Sequence, residues 1–211
     1  MADEVLIYIS AAPDLQPERE ILGRAVTEVP VTLGWRVVQS PSGDAPADLE
    51  AAARADVHLL LLGSDIQAPV GREWIAARRA GRRPVPLLKR GVLQTPAAQS
   101  FQRYIEEQVA WRPFRDGAEL RLLGLKLLAD HILARAQHYA LSPLELARLQ
   151  DWRSELDTPG KGVAEVIRGG AAASGVVLSP ERYVPSEGVL LQAPEEEGGH
   201  GQEEVRSGRE P

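Results

Sequence analysis

Cysteine is absent from the chain. That excludes a disulfide framework, a thiol nucleophile and every cysteine-ligated zinc or iron–sulfur site. Long apolar runs are missing too. The longest is the short stretch Val57–Leu62, far below the roughly 18 residues that a membrane span needs. The opening Met1-Ala2-Asp3-Glu4 is acidic and leads straight into a strand pattern, which does not read as a signal peptide. A cytoplasmic location and no membrane partner are the expectations. Basic excess is lacking as well. The formal charge is −6, but six glutamates and two arginines between residues 195 and 211 leave the rest near −2. The acidity belongs to the tail, and no nucleic-acid partner is expected.

Several chemical signatures are also missing. No GxGxxG follows the first strand pattern, and no GxSxG elbow occurs. Gly160-Lys161-Gly162 lacks the distal glycine and the Ser/Thr of a phosphate-binding loop. The histidines His58, His131, His138 and His200 have no metal-site spacing, so they read as core or solvent-edge residues and no metal is assigned. No cofactor is implied. No internal repeat is found.

What is present reads as alternating strands and helices. Of 211 residues, 44% are hydrophobic, enough for one core plus an extension. Val5–Ile9 is continuous and rich in β-branched residues, the pattern of a strand buried on both faces. Residues 35–38, 57–62 and 84–88 read as further strands, and 112–114 as a short edge strand. Helices are expected from Asp14 as N-cap to about Val29, over 48–55, 72–80, 100–111 and 118–139, and from the capping box at Ser142–Glu145 to about Leu156. Such alternation predicts βαβ units in an open parallel sheet of four or five strands with helices on both faces. The expected organisation is an α/β domain over 1–115 and a helical extension over 116–156. A Gly/Pro-rich flexible arm over 157–192, suited to docking on a partner, and a disordered acidic tail over 193–211 complete it.

In parallel sheets, ligands sit beyond the carboxyl ends of the strands. That directs attention to Ser10, Ala11, Asp14, Gly63, Ser64 and Arg72. Glu73 is the most informative acid. It is expected in the first turn of its helix, near that edge, where a carboxylate can stabilise the positive charge that develops when an N-glycosidic bond breaks. The plainer alternative is an acid complementing a helix N-terminus. Arg72, Arg78, Arg79, Arg82, Arg83, Lys89 and Arg90 face a single acid, Glu73, over residues 72–90. They read either as an anion patch near the same edge or as a solvated helix face.

Taken together, these segments resemble a known family. Ser10-Ala11-Ala12-Pro13-Asp14-Leu15-Gln16-Pro17-Glu18-Arg19 is similar to the Ser-Ser-Thr-x-x-Asp-Leu-x-x-Glu-Arg opening of a bacterial TIR-like domain of unknown function. Asp56–Ser64 resembles its apolar strand ending in glycine, and Glu73 to Leu88, with Ala77 and Gly81, resembles its Glu-x-x-x-Ala-x-x-x-Gly block. The likeness covers about residues 4–115. It implies a flavodoxin/TIR-like fold, related to TIR domains and nucleoside deoxyribosyltransferases. In that group's enzymes a glutamate in the position of Glu73 acts on an N-glycosidic bond, while inactive members are signalling or assembly modules. Here Ala11-Ala12-Pro13 replaces hydroxyl and aromatic residues, and the loop 65–71 lacks the usual Tyr-Gly and the Ser or Thr before the glutamate. Both departures remove groups that could hold a nucleotide. The leading expectation is an assembly module that binds protein partners or itself in a bacterial signalling or defence-type complex. The alternatives are an NAD or nucleoside N-glycosidase using Glu73, and a non-catalytic nucleotide sensor using the arginines.

Overall fold

The computed structural model describes residues 4–41 and 45–158. Apart from Asp157 and Thr158, the arm lies outside the described residues, as do the acidic tail, Gly160–Gly162 and His200. Five strands form one all-parallel sheet: β1 (Glu4–Ser10), β2 (Gly34–Gln39), β3 (Val57–Leu62), β4 (Val85–Lys89) and β5 (Arg112–Phe114), in the order β2-β1-β3-β4-β5. Register pairs Ile7 with Val37 on one side and with Val57 on the other. The order reverses beside β1, so β1 and β3 end next to each other and create a crevice at the carboxyl edge.

The helices are α1 (Gln16–Ala25), α2 (Leu49–Arg54), α3 (Ala68–Arg79), α4 (Pro96–Glu106), α5 (Gly117–Ala134) and α6 (Pro143–Glu155). They cover both faces. The odd-numbered side chains of β1 and β3 (Val5, Ile7, Ile9, Val57, Leu59, Leu61) pack with Leu22, Leu125, Ile132 and Leu149 from α1, α5 and α6 in one cluster. The even-numbered side chains meet α2, α3 and α4: Tyr8 packs on Ala51 and Ala52, and Leu60 on Val70, Trp74 and Ile105. All six residues of β3 are buried. Each fully buried leucine among them contributes about 1.5–3 kcal/mol over leaving it in water, so this central strand anchors the sheet. β5 ends the sheet in three residues, with Pro113 on an edge that no further strand needs to pair.

Several boundaries differ from the pattern reading. Asp14 does not cap α1. Residues 13–15 form a 3₁₀ turn, and the N-cap of α1 is Leu15 with no side-chain bond. Helix α3 starts at Ala68 with Pro69 in its first turn, four residues before the expected start. Helix α4 starts at Pro96 behind a Thr95 cap. Helix α5 ends at Ala134, five residues before the expected end, and packs through Leu120, Leu125, Leu127, Leu128 and Ile132. The Ser142–Glu145 capping box is present in full. Among the described residues, no helix is long and apolar enough to cross a membrane.

Candidate functional site

The carboxyl edge is where β1, β2, β3 and β4 deliver Ser10, Ser40, Gly63 and Lys89. The expected ligand residues divide there into separate hydrogen-bonded groups. Ser10, fully buried, lies 2.7 Å by its Oγ from His58 Nε2. His58 is 3% exposed and meets Tyr8 edge-on, with ring centroids 5.2 Å apart. Burial disfavours the charged imidazole and pushes its pKa down to about 3. His58 is therefore a neutral core residue at ordinary pH.

Glu73 lies just beneath the edge and is closed off from it. Because α3 begins at Ala68, Glu73 falls in the second turn of the helix, where it is buried. It is 0% exposed. Tyr8 Oη donates to its Oε1 at 2.9 Å, and Ser40 Oγ donates to its Oε2 at 2.6 Å. Ser40 Oγ also accepts the Ala11 N–H at 3.1 Å. Arg19, itself buried, donates to the Ser40 carbonyl at 2.7 Å and to Gln16. Burial first, then the Glu73 charge, raises the pKa of the Tyr8 hydroxyl, so it stays a donor. Burial lowers the pKa of Arg19, and Glu73 opposes that shift. This is a closed network: a buried carboxylate with both oxygens bonded, which is how an interior tolerates such a group.

Asp14, Gly63 and Ser64 form another group. The Asp14 carboxylate accepts the Ser64 N–H at 3.1 Å and the Ser64 hydroxyl. Leu15 is buried against the same place. A Cβ on Gly63 would sit 2.9 Å from Asp14 Oδ2 and 2.9 Å from Leu15 Cδ2, so glycine is required by close approach. The crevice between β1 and β3 is therefore occupied by the chain's own Asp14–Leu15 turn. Next to it Lys89 Nζ pairs with Glu18 Oε1 at 2.6 Å, and Glu18 is largely buried. Arg72 is exposed on α3.

Two expectations are corrected by this geometry. Glu73 is not in the first turn of its helix and is not open to a ligand, since α3 starts earlier than its sequence signals indicate and the carboxylate is buried with both oxygens bonded. The arginines also do not form one patch at the carboxyl edge. Helix α3 runs antiparallel to the strands, so Arg78, Arg79, Arg82 and Arg83 arrive at the amino edge, while Lys89 and Arg90 lie at the other end. The residues not anticipated are Tyr8, Arg19 and Ser40. Tyr8 could have been noticed as the one hydroxyl among the apolar residues 5–9. Ser40 carries no local signal.

Among the described residues, no group of three or more His, Asp or Glu is placed to hold a metal ion. No family model, no curated protein and no solved structure matches the chain.

Proposed function

We propose that the chain is a non-catalytic assembly module of the TIR-like kind, working by binding protein partners or further copies of itself in a bacterial signalling or defence-type complex. The observation that carries this reading is Glu73. A carboxylate that is to meet a sugar must be reachable, and this one is 0% exposed with both oxygens occupied by Tyr8 and Ser40. The filled crevice at Asp14–Leu15 and Gly63 supports the same reading. The departures at Ala11–Pro13 and in the loop 65–71 take away the hydroxyl and aromatic groups of a nucleotide pocket.

The test has two arms. The full chain is incubated with NAD and with nucleosides across a concentration series, and nicotinamide or free base is measured by chromatography. The same samples are run in analytical ultracentrifugation, and the chain is used as bait in its native host. No release, together with concentration-dependent self-association or a recovered protein partner, is the expected result. A monomer with no partner overturns the reading.

One observation favours a second reading, an NAD or nucleoside N-glycosidase. The Tyr8–Glu73–Ser40–Arg19 network lies directly behind Ala11 at the crevice, and a buried ionic network is often no more stable than apolar packing of the same volume. Under that reading α3 must move to uncover Glu73. Base release by the wild type that disappears in Glu73→Gln, with the fold retained, establishes the enzyme in place of the module.

A further inference from the structure

Concavities lie at the amino end of the sheet, away from Glu73. One, of about 300 Å³, is lined by Asp56, His58, Arg82, Arg83, His131 and Arg135. It sits where β3 begins, between the turn leaving α3 and the C-terminal end of α5. A wider hollow of about 790 Å³ shares Asp56, Arg82 and Arg135 with it and continues past Leu133 and Leu146, between α5 and α6. Both volumes lie in the range of small-molecule sites.

The charge of the smaller cavity is unbalanced. Three guanidiniums share it with one carboxylate, and Asp56 Oδ2 already accepts the Leu6 N–H at 2.9 Å. Among the described residues, the ion pairs involve Arg24, Arg54, Lys89, Arg121, Lys126 and Arg153, and none involves Arg82, Arg83 or Arg135. His131 adds no charge at neutral pH. Burial, followed by the Arg135 charge, pushes its pKa down to about 4. The Tyr139 hydroxyl, pushed up to about 12 by burial first and then by Asp56, is hydrogen-bonded to Arg135 and also feels the Arg82 charge.

Helix ends explain part of this. Helices α2, α3 and α5 all finish at this edge, and C-terminal carbonyls attract cations. Arg82 answers to that: its Nε donates to the Ala53 carbonyl at 3.1 Å. Arg83 and Arg135 do not. Arg135 meets the His131 ring at 2.9 Å and hydrogen-bonds the Tyr139 hydroxyl, which leaves part of its fork open, and Arg83 forms no hydrogen bond or ion pair among the described residues. Planar guanidinium forks left with open donors match the oxygens of a phosphate.

We propose that this amino-end pocket is an oxyanion site for the phosphate group of a small phosphorylated molecule. Arg83 and Arg135 bind the phosphate, Arg82 forms the fixed rim, and the rest of the molecule extends between α5 and α6. The inference is independent of the assembly reading, since it uses no residue of the carboxyl edge.

Isothermal titration of the full chain at low ionic strength tests it, with inorganic pyrophosphate, AMP and adenosine as probes. Pyrophosphate and AMP are expected to bind and adenosine to fail. Arg83→Ser and Arg135→Ser should each raise Kd at least tenfold, while Arg72→Ser, an exposed arginine of α3, leaves it within twofold. Arg83 holds nothing else in place, so its replacement keeps the fold. Absence of phosphate binding, or Kd values indifferent to Arg83→Ser and Arg135→Ser, overturns the proposal. Loss in Arg72→Ser alone also overturns it, by moving the anion to the other edge.

Discussion

Lowering the pH should destabilise this fold through His58, and the size of the effect follows from its surroundings. In the unfolded chain the imidazole takes up a proton with a pKa of 6.5, whereas in the fold burial holds that pKa down at about 3. The folded state thus binds fewer protons between those values. Stability is complete above pH 6.5, falls as the pH drops through that value, and stops falling near pH 3. Between pH 7 and pH 5 the unfolded chain gains about 0.7 of a proton at this imidazole that the fold refuses. At about 1.36 kcal/mol for each pH unit below 6.5, that removes about 2 kcal/mol of stability. Urea unfolding at the two pH values measures it. The comparison protein is His58→Gln, which keeps a polar partner within reach of the Ser10 hydroxyl. All other titrating groups, His131 included, remain in both proteins and cancel in the difference. The variant should be weaker at pH 7 by about 1–3 kcal/mol, because the Ser10 hydrogen bond and the Tyr8 edge contact are disturbed. Its loss between pH 7 and pH 5 should be smaller than that of the wild type by about 2 kcal/mol. Equal losses in the two proteins refute the reasoning, because they show that the imidazole takes up its proton in the fold.

Two further outcomes test the carboxyl edge. Glu73→Ala leaves Tyr8 Oη and Ser40 Oγ without their acceptor and Arg19 without the charge that offsets its burial. A loss of about 3–5 kcal/mol in denaturant unfolding is expected, as when one partner of a buried ionic network is removed; a loss below about 1 kcal/mol would mean that the network is open to water. Gly63→Ala brings a methyl group within 2.9 Å of Asp14 Oδ2 and Leu15 Cδ2. It should cost about 1–3 kcal/mol, the range for overpacking, and should increase amide exchange at Ser64; unchanged exchange there would mean that the Asp14–Leu15 turn does not hold the crevice.

The sheet was legible because its signals are local. The runs 5–9 and 57–62 announce buried parallel strands, Asp48 caps α2 because its carboxylate accepts the Ala51 N–H, and Ser142–Glu145 states its own helix start. The start of α3 has no such mark. Its N-cap is Gln67 with no side-chain bond, and Pro69 reads equally as loop or first turn. Moving the start back by four residues carries Glu73 about one turn inward, from the rim to the interior. That single displacement turns a candidate catalytic acid into a buried cross-link. At α4 the cue was present, since Thr95-Pro96 is a cap followed by proline at the first helical position.

The segment Asp14-Leu15-Gln16-Pro17-Glu18-Arg19 presents a deeper ambiguity. As a string of polar residues after a buried strand, it has the composition of a ligand loop. In the fold each of its charged members is bonded to a distant segment: Asp14 to Ser64, 50 residues on, Glu18 to Lys89, 71 residues on, and Arg19 to Ser40, 21 residues on. Leu15 fills the space above Gly63. The motif therefore ties the ends of β2, β3 and β4 to α1 and to the turn before it. Local spacing cannot distinguish these two uses, because a carboxylate waiting for a ligand and one bonded across the sheet have the same neighbours in sequence. What separates them is the register of β1 beside both β2 and β3, which sets Ser40 and Ser64 within reach of α1 and its leading turn.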